Sequence, residues 1–246
     1  WDLRAAANFM LGGTGAGLVA VSALAAPSRV AIALGLVLIA AGLTAVWLEI
    51  GRKLRAIHVF FNPRTSWMSR ESLAALAVLA LGAASLWTEE PWLLAASALA
   101  ALAFVYCQAR ILREAKGIPA WRAPEIVPLV LSSAFAEGAA SALLFERGPL
   151  IWSLLVLALI ARGIAWDWFR RALREPRSAA ALRRPGRTLL LLGTALPLVL
   201  SVLDSAAPLV AVAVVGTGWW LKFTLVTRAA FNQGFALPHL PVRGAR

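Results

Sequence analysis

The chain contains one cysteine, Cys107, and two histidines, His58 and His239. A single thiol excludes a disulfide framework and cannot hold an iron–sulfur cluster, which typically takes four thiolates. Two histidines, neither in mid-helix, leave no facing pair for haem and no histidine-rich metal site. Acidic residues are also scarce, 12 against 24 Lys and Arg, giving a net charge of +12. In a polar chain that balance would suit nucleic acid; the apolar background makes membrane orientation the better explanation, and no nucleic-acid partner is expected. No signal-peptide pattern is visible. The first residue is Trp1 rather than Met, so residues ahead of it are expected.

What the chain has in excess is apolar surface. Its 246 residues are 61% hydrophobic with a mean hydropathy of +0.77, against roughly 45–50% apolar residues in soluble domains. We expect an all-α, polytopic integral membrane bundle of about eight transmembrane helices without haem, forming one transmembrane domain over residues 1–246. The spans are read at about 4–25, 30–50, 72–87, 92–108, 126–145, 150–168, 188–203 and 208–228. Gly13 and Gly17, four apart in the first span, are read as a close-packing face rather than a dinucleotide loop. Asn8 is assigned to a neighbouring helix as a hydrogen-bond partner. Connectors are expected at 49–71, 109–125 and 169–187, with a tail at 229–246.

Charge placement orients this bundle. The connectors after spans two and four hold five and four Lys or Arg residues, the stretch from Arg162 to Arg187 holds eight, and the last helix and tail add Lys222, Arg228, Arg243 and Arg246. By the positive-inside rule both termini and all three long connectors face the cytoplasm.

Residues 49–71, EIGRKLRAIHVFFNPRTSWMSRE, concentrate polar, basic and aromatic side chains between two apolar runs. The order LEIGRKLRA, then NPRTSWMSRE at a helix start, then REAKGIPAW after span four, resembles the dimethyl sulfoxide reductase membrane-anchor (DmsC, NrfD-like) family. The resemblance covers nearly the whole chain, and NPRTSWMSRE is its most specific part. It implies a prokaryotic inner-membrane subunit that holds a ferredoxin-like iron–sulfur subunit, itself in contact with a molybdopterin (Mo or W) catalytic subunit. Electrons would then pass between that cluster and a membrane quinone, menaquinone or ubiquinone. Glu49 stands where the dimethyl sulfoxide type tends to have a histidine, which puts the proton-handling residue in question. An inward-facing docking side points to a cytoplasmic substrate, and the anchor of phenylacetyl-CoA:acceptor oxidoreductase is the most similar branch.

Quinone reduction consumes two electrons and two protons, so the carbonyl oxygens need donors and a titratable group. Glu49, Arg55, His58, Asn62, Arg64, Ser66 and Glu71 supply that menu, with Phe61 and Trp67 expected to sandwich the ring. Arg52, Arg70, Arg113, Trp121 and His239 are expected to dock a partner. Trp47, Trp87, Trp92, Trp152, Trp166 and Trp168 are read as interfacial belt residues. Glu137, near the middle of span five, is the candidate intramembrane relay. Its structural alternative, which we favour, is a neutral carboxyl bonded to Ser132, Ser133 or Ser141. No metal site is expected. The rival functions are a purely structural anchor and a small-solute transporter, the latter requiring paired midplane charges and discontinuous helices.

Overall fold

Eight helical rods make up the chain in the computed structural model, which describes residues 1–25, 27–201 and 203–231. They are α1 (Leu3–Ala25), α2 (Arg29–Glu49), α3 (Trp67–Thr88), α4 (Pro91–Glu114), α5 (Ile126–Ala142), α6 (Pro149–Ala172), α7 (Pro176–Leu190) and α8 (Ala207–Arg228). α7 continues through a π turn, Leu191–Ala195, into Leu196–Leu200. Among the described residues there is no strand. The starts follow local chemistry: Pro91, Pro149 and Pro176 occupy first-turn positions, where a missing N–H costs nothing. Ser28 and Ser66 cap α2 and α3 by accepting from Ala31 N and Ser69 N.

Six of the eight rods are long and apolar enough to cross a membrane, which corrects the expected count of eight. The reasons differ for the other two. α5 has 17 residues, or about 26 Å at 1.5 Å per residue, short of a hydrocarbon core of about 30 Å. α7 begins as an amphipathic, arginine-rich helix, so its purely apolar part is short. The expected connector at 169–187 is corrected with it: Phe169 to Ala172 complete α6, and α7 already begins at Pro176.

α1 is the centre of the bundle. Its membrane window is 72% buried, against 28% for α3 on the outside, and it packs on α2, α4 and α5. Small residues permit this. A Cβ on Gly17 would collide with the carbonyl of Ala134, and one on Gly138 with the backbone of Gly17, so α1 and α5 cross backbone to backbone. α3 and α4 form a hairpin turned at Glu89, whose φ of 61° is left-handed.

One end of the bundle gathers the start of α1, the end of α2, the start of α3 and the ends of α4 and α8. Arg4 donates to Leu48 O at 3.2 Å, Trp121 Nε1 to Leu225 O at 3.0 Å, and Ser178 to Ala229 O at 2.9 Å. The basic connectors all lie at this end.

Three π turns interrupt the rods: Asn8–Gly12, Leu191–Ala195 and Thr224–Arg228. A π turn shifts the backbone register and frees a carbonyl, which in an apolar interior must find another donor. In each case a distant buried side chain supplies it. Gln108 Nε2 donates to Asn8 O at 3.0 Å, Arg162 donates to Gly193 O, and Trp121 donates to Leu225 O. The causes are local: Gly193 O lies four residues before Pro197, which has no N–H, and Ala229 N bonds Thr224 O instead of Leu225 O.

Candidate functional site

At the gathered end, two adjoining cavities of about 390 and 500 Å³ share Asn8, Val46, Ile50, Met68 and Glu71 in their walls. They are the two lobes of one cleft, in the size range of small-molecule sites. The first lobe adds Trp1, Ala5, Phe9, Glu49 and Ile111. The second runs under a 3-10 helix, Lys53–Phe61, and adds Trp47, Arg55, Ile57, Phe60 and the α3 residues down to Leu79. The 3-10 roof is pinned to α2 by Trp47 Nε1, which donates to Lys53 O at 3.3 Å. Leu54 and Ile57 on the roof are exposed while Arg52 and Arg55 also face outward, the pattern of a segment lying at a membrane surface.

The polar floor of the cleft is Glu71. It is buried, and its Oε1 accepts from Asn8 Nδ2 at 2.9 Å. Gln108, fully buried, donates to the Asn8 carbonyl at 3.0 Å and so fixes the turn of α1 that carries Asn8. Asn8 Oδ1 and Gln108 Oε1 are buried without a protein partner. A carboxyl, two carboxamides and an otherwise apolar wall can orient a flat ligand that carries carbonyl oxygens, because such a ligand needs few polar contacts set in apolar surface.

The expected site residues divide. Glu49, Arg55 and Glu71 come together in the cleft. The Phe61–Trp67 sandwich does not form. Phe61 is exposed and meets the outward-facing His58 edge-on at 5.6 Å, and Phe60 lines the second lobe in its place. Trp67 is held between Arg70 at 4.2 Å and Arg110 at 4.3 Å, with Tyr106 edge-on. His58 bonds Arg55 O at 3.1 Å and is absent from the cleft wall. Ser66 is a helix cap, and Asn62 supplies the carbonyl for Ser66 N at 3.0 Å. Arg70 is a loop brace: it donates to Pro63 O and Arg64 O, each at 2.7 Å. Arg64 and Arg52 are exposed on this end, and Arg113 lines a shallow basic groove with Glu114, Lys116 and Arg122. Trp121, expected to dock a partner, is fully buried; its indole N–H is consumed by the π turn of α8. His239 lies outside the described residues.

Glu137 requires the largest correction. It is fully buried, and its carboxylate bonds none of the three serines. Ser132 and Ser141 bond helix carbonyls instead. Its Oε2 meets Lys222 Nζ at 2.8 Å and Thr14 Oγ1 at 2.5 Å, and Trp219 Nε1 donates to Thr14 at 2.9 Å. Lys222, one of the charges that orient the bundle by sequence, is buried. Arg162, read with the arginines that follow it, is also fully buried, spanning Gly193 O, Thr194 Oγ1 and Val214 O. The signal was present in the sequence as single cations inside apolar runs, LALIARGIAW and TGWWLKFTLV. Among the described residues no group of three or more His, Cys, Asp or Glu is placed to hold a metal ion.

With this geometry set out, comparison against known protein families and against curated proteins returns no match.

Proposed function

We propose that the cleft binds the head group of a membrane quinone, menaquinone or ubiquinone. The chain is then the anchor and quinone-reactive subunit of a molybdopterin and iron–sulfur oxidoreductase of the DmsC, NrfD-like kind. The observation that carries this is the pairing of Glu71 and Asn8 at the meeting point of two apolar lobes, beneath a basic, surface-lying roof. A quinone ring would lie between apolar walls with one carbonyl toward Asn8 and Glu71, and its tail would leave between apolar helices. Glu71 is the proton-handling residue, and Asn8 and Gln108 position it; Glu49 and Arg55 line the mouth. The electrons come from a ferredoxin-like partner subunit on the same end, where Arg52, Arg64 and Arg113 are available to acidic groups. By the positive-inside rule that end is cytoplasmic, in a prokaryotic inner membrane. A cytoplasmic substrate such as phenylacetyl-CoA for the molybdenum or tungsten subunit follows from that orientation.

A small-solute transporter is the competing reading, favoured by the buried Lys222–Glu137 pair. Against it, neither Lys222, Glu137 nor Arg162 lines the cleft, and each is already engaged with protein groups.

The test is reduction of a quinone analogue by the purified complex, alongside metal analysis. Glu71→Gln and Asn8→Leu are expected to lower quinone reduction by about a hundredfold, the lower end of what a positioned proton donor contributes, while activity with an artificial acceptor persists. A chain that purifies without metals or partner, or variants with full quinone activity, would refute the proposal.

A further inference from the structure

We infer that the exposed arginine face of α7 is a docking site for anionic phospholipid, holding phosphodiester head groups of the leaflet at the basic end of the bundle. The inference stands apart from the quinone reading and needs only the membrane bundle itself.

α7 is two-sided. At about 100° per residue, Ser178, Leu182, Pro185, Gly186 and Leu189 gather on one side, and all are buried. Contacts with both neighbouring helices seat that side: Ser178 donates to Ala229 O, just past α8, at 2.9 Å, and a Cβ on Gly186 would collide with the Trp166 ring of α6. Arg183, Arg184 and Arg187 fall opposite, within about 100° of arc, and all are exposed. With its inner side fixed, α7 cannot roll these arginines into the protein.

Their charge is uncompensated. At the end of α6, Arg170 and Arg171 share Asp167, and elsewhere Arg29 and Arg110 have Glu89 and Glu114. Among the described residues no ion pair engages Arg183, Arg184 or Arg187. The sequence holds no Asp or Glu between Glu175 and Asp204. Like charges on adjoining turns of a helix repel, so these guanidinium groups call for anions from outside the chain.

What supplies the anions is decided by what comes next along the same rod. Leu191, four residues beyond Arg187 and on the same side, is 65% exposed, and Val199 farther along is 70% exposed. In a membrane bundle these side chains face hydrocarbon. At 1.5 Å per residue Arg187 stands about 6 Å outward of Leu191, which is the level of lipid phosphates. The end of α6 marks the same level: Trp166 touches Gly186, and Trp168, a half-turn further out, is exposed as an interfacial belt residue is. A soluble acidic protein approaching this side would meet lipid first. A phosphodiester, by contrast, is already there, and its two free oxygens match the planar donor fork of a guanidinium.

Native mass spectrometry of the full chain in a non-ionic detergent tests the site, with phosphatidylglycerol or phosphatidylcholine of identical acyl chains added. The parent is expected to bind phosphatidylglycerol more tightly than phosphatidylcholine. The double variant Arg184→Gln, Arg187→Gln should weaken phosphatidylglycerol binding about 25-fold, from about 1 kcal/mol for each basic side chain near an anionic surface, with phosphatidylcholine unaffected. Lys53→Gln, Lys116→Gln removes the same charge from exposed positions at the same end and should leave phosphatidylglycerol affinity unchanged. All four positions are exposed, so circular dichroism should match the parent. Equal losses in the two double variants would reduce the effect to overall charge and overturn the site, as would a parent that does not distinguish the two lipids. Binding of a soluble acidic peptide, hexaglutamate, through Arg184 and Arg187 in place of phosphatidylglycerol would make the occupant a protein and also overturn it.

Discussion

Replacing Lys222 with Met keeps an unbranched stem and removes only the ammonium. Glu137, fully buried, would retain Thr14 as the partner of Oε2 at 2.5 Å but lose its counter-charge at 2.8 Å. Removing one member of a buried pair costs about 3–5 kcal/mol, because the other charge stays desolvated. Replacing both by apolar residues of similar volume is often neutral or stabilising by about 1–4 kcal/mol. For a chain of this size, about 2–4 °C of melting temperature per kcal/mol puts Lys222→Met about 6–20 °C below the parent. The double variant Lys222→Met, Glu137→Met should recover most of that loss. The assay is thermal unfolding in nanodiscs followed by tryptophan fluorescence, to which Trp219, bonded to Thr14, responds directly. A single substitution costing under about 1 kcal/mol, or a double variant as unstable as the sum of the two singles, would refute the buried-charge argument.

Two glycine substitutions should move stability in opposite directions. Gly17→Ala drives a methyl into the Ala134 carbonyl and should cost about 1–3 kcal/mol as overpacking, whereas Gly216→Ala meets nothing within 4 Å and should gain up to about 1 kcal/mol of helix propensity; melting temperatures in the same lipid separate them. Trp121→Phe removes the indole donor to Leu225 O and should cost about 1–3 kcal/mol for the unpartnered buried carbonyl, with faster amide exchange confined to the end of α8.

Hydropathy and small-residue spacing made the all-α membrane bundle legible, because apolar length and backbone hydrogen bonding inside lipid leave helices as the economical solution for such runs. Gly17 is a good instance: its place in the apolar first span marked it for close packing, and it sits against α5. Gly13, read the same way, instead makes room for Lys222 and Gln108, a difference invisible to spacing alone. Residues 49–71 were legible as a polar site, and Glu49, Arg55 and Glu71 do share the cleft. The aromatic partners were not, because the 3-10 roof turns Phe60 inward and leaves Phe61 outside, and a local period of three rather than 3.6 decides which ring faces the cavity.

The sequence by itself determined what must be buried and what must be satisfied: an apolar chain with few carboxyls, in which each cation inside an apolar run needs a partner. Only the tertiary structure decided who those partners are. Glu137 and Lys222 are 85 residues apart, Asn8 and Glu71 are 63 apart, and the donors for the three π-turn carbonyls come from distant parts of the chain, Gln108 on α4, Arg162 on α6 and Trp121 in the connector after α4. Pairing across helices depends on crossing points and rotation about each axis, which are set by close contacts such as Gly17 on Gly138 and not by any local periodicity.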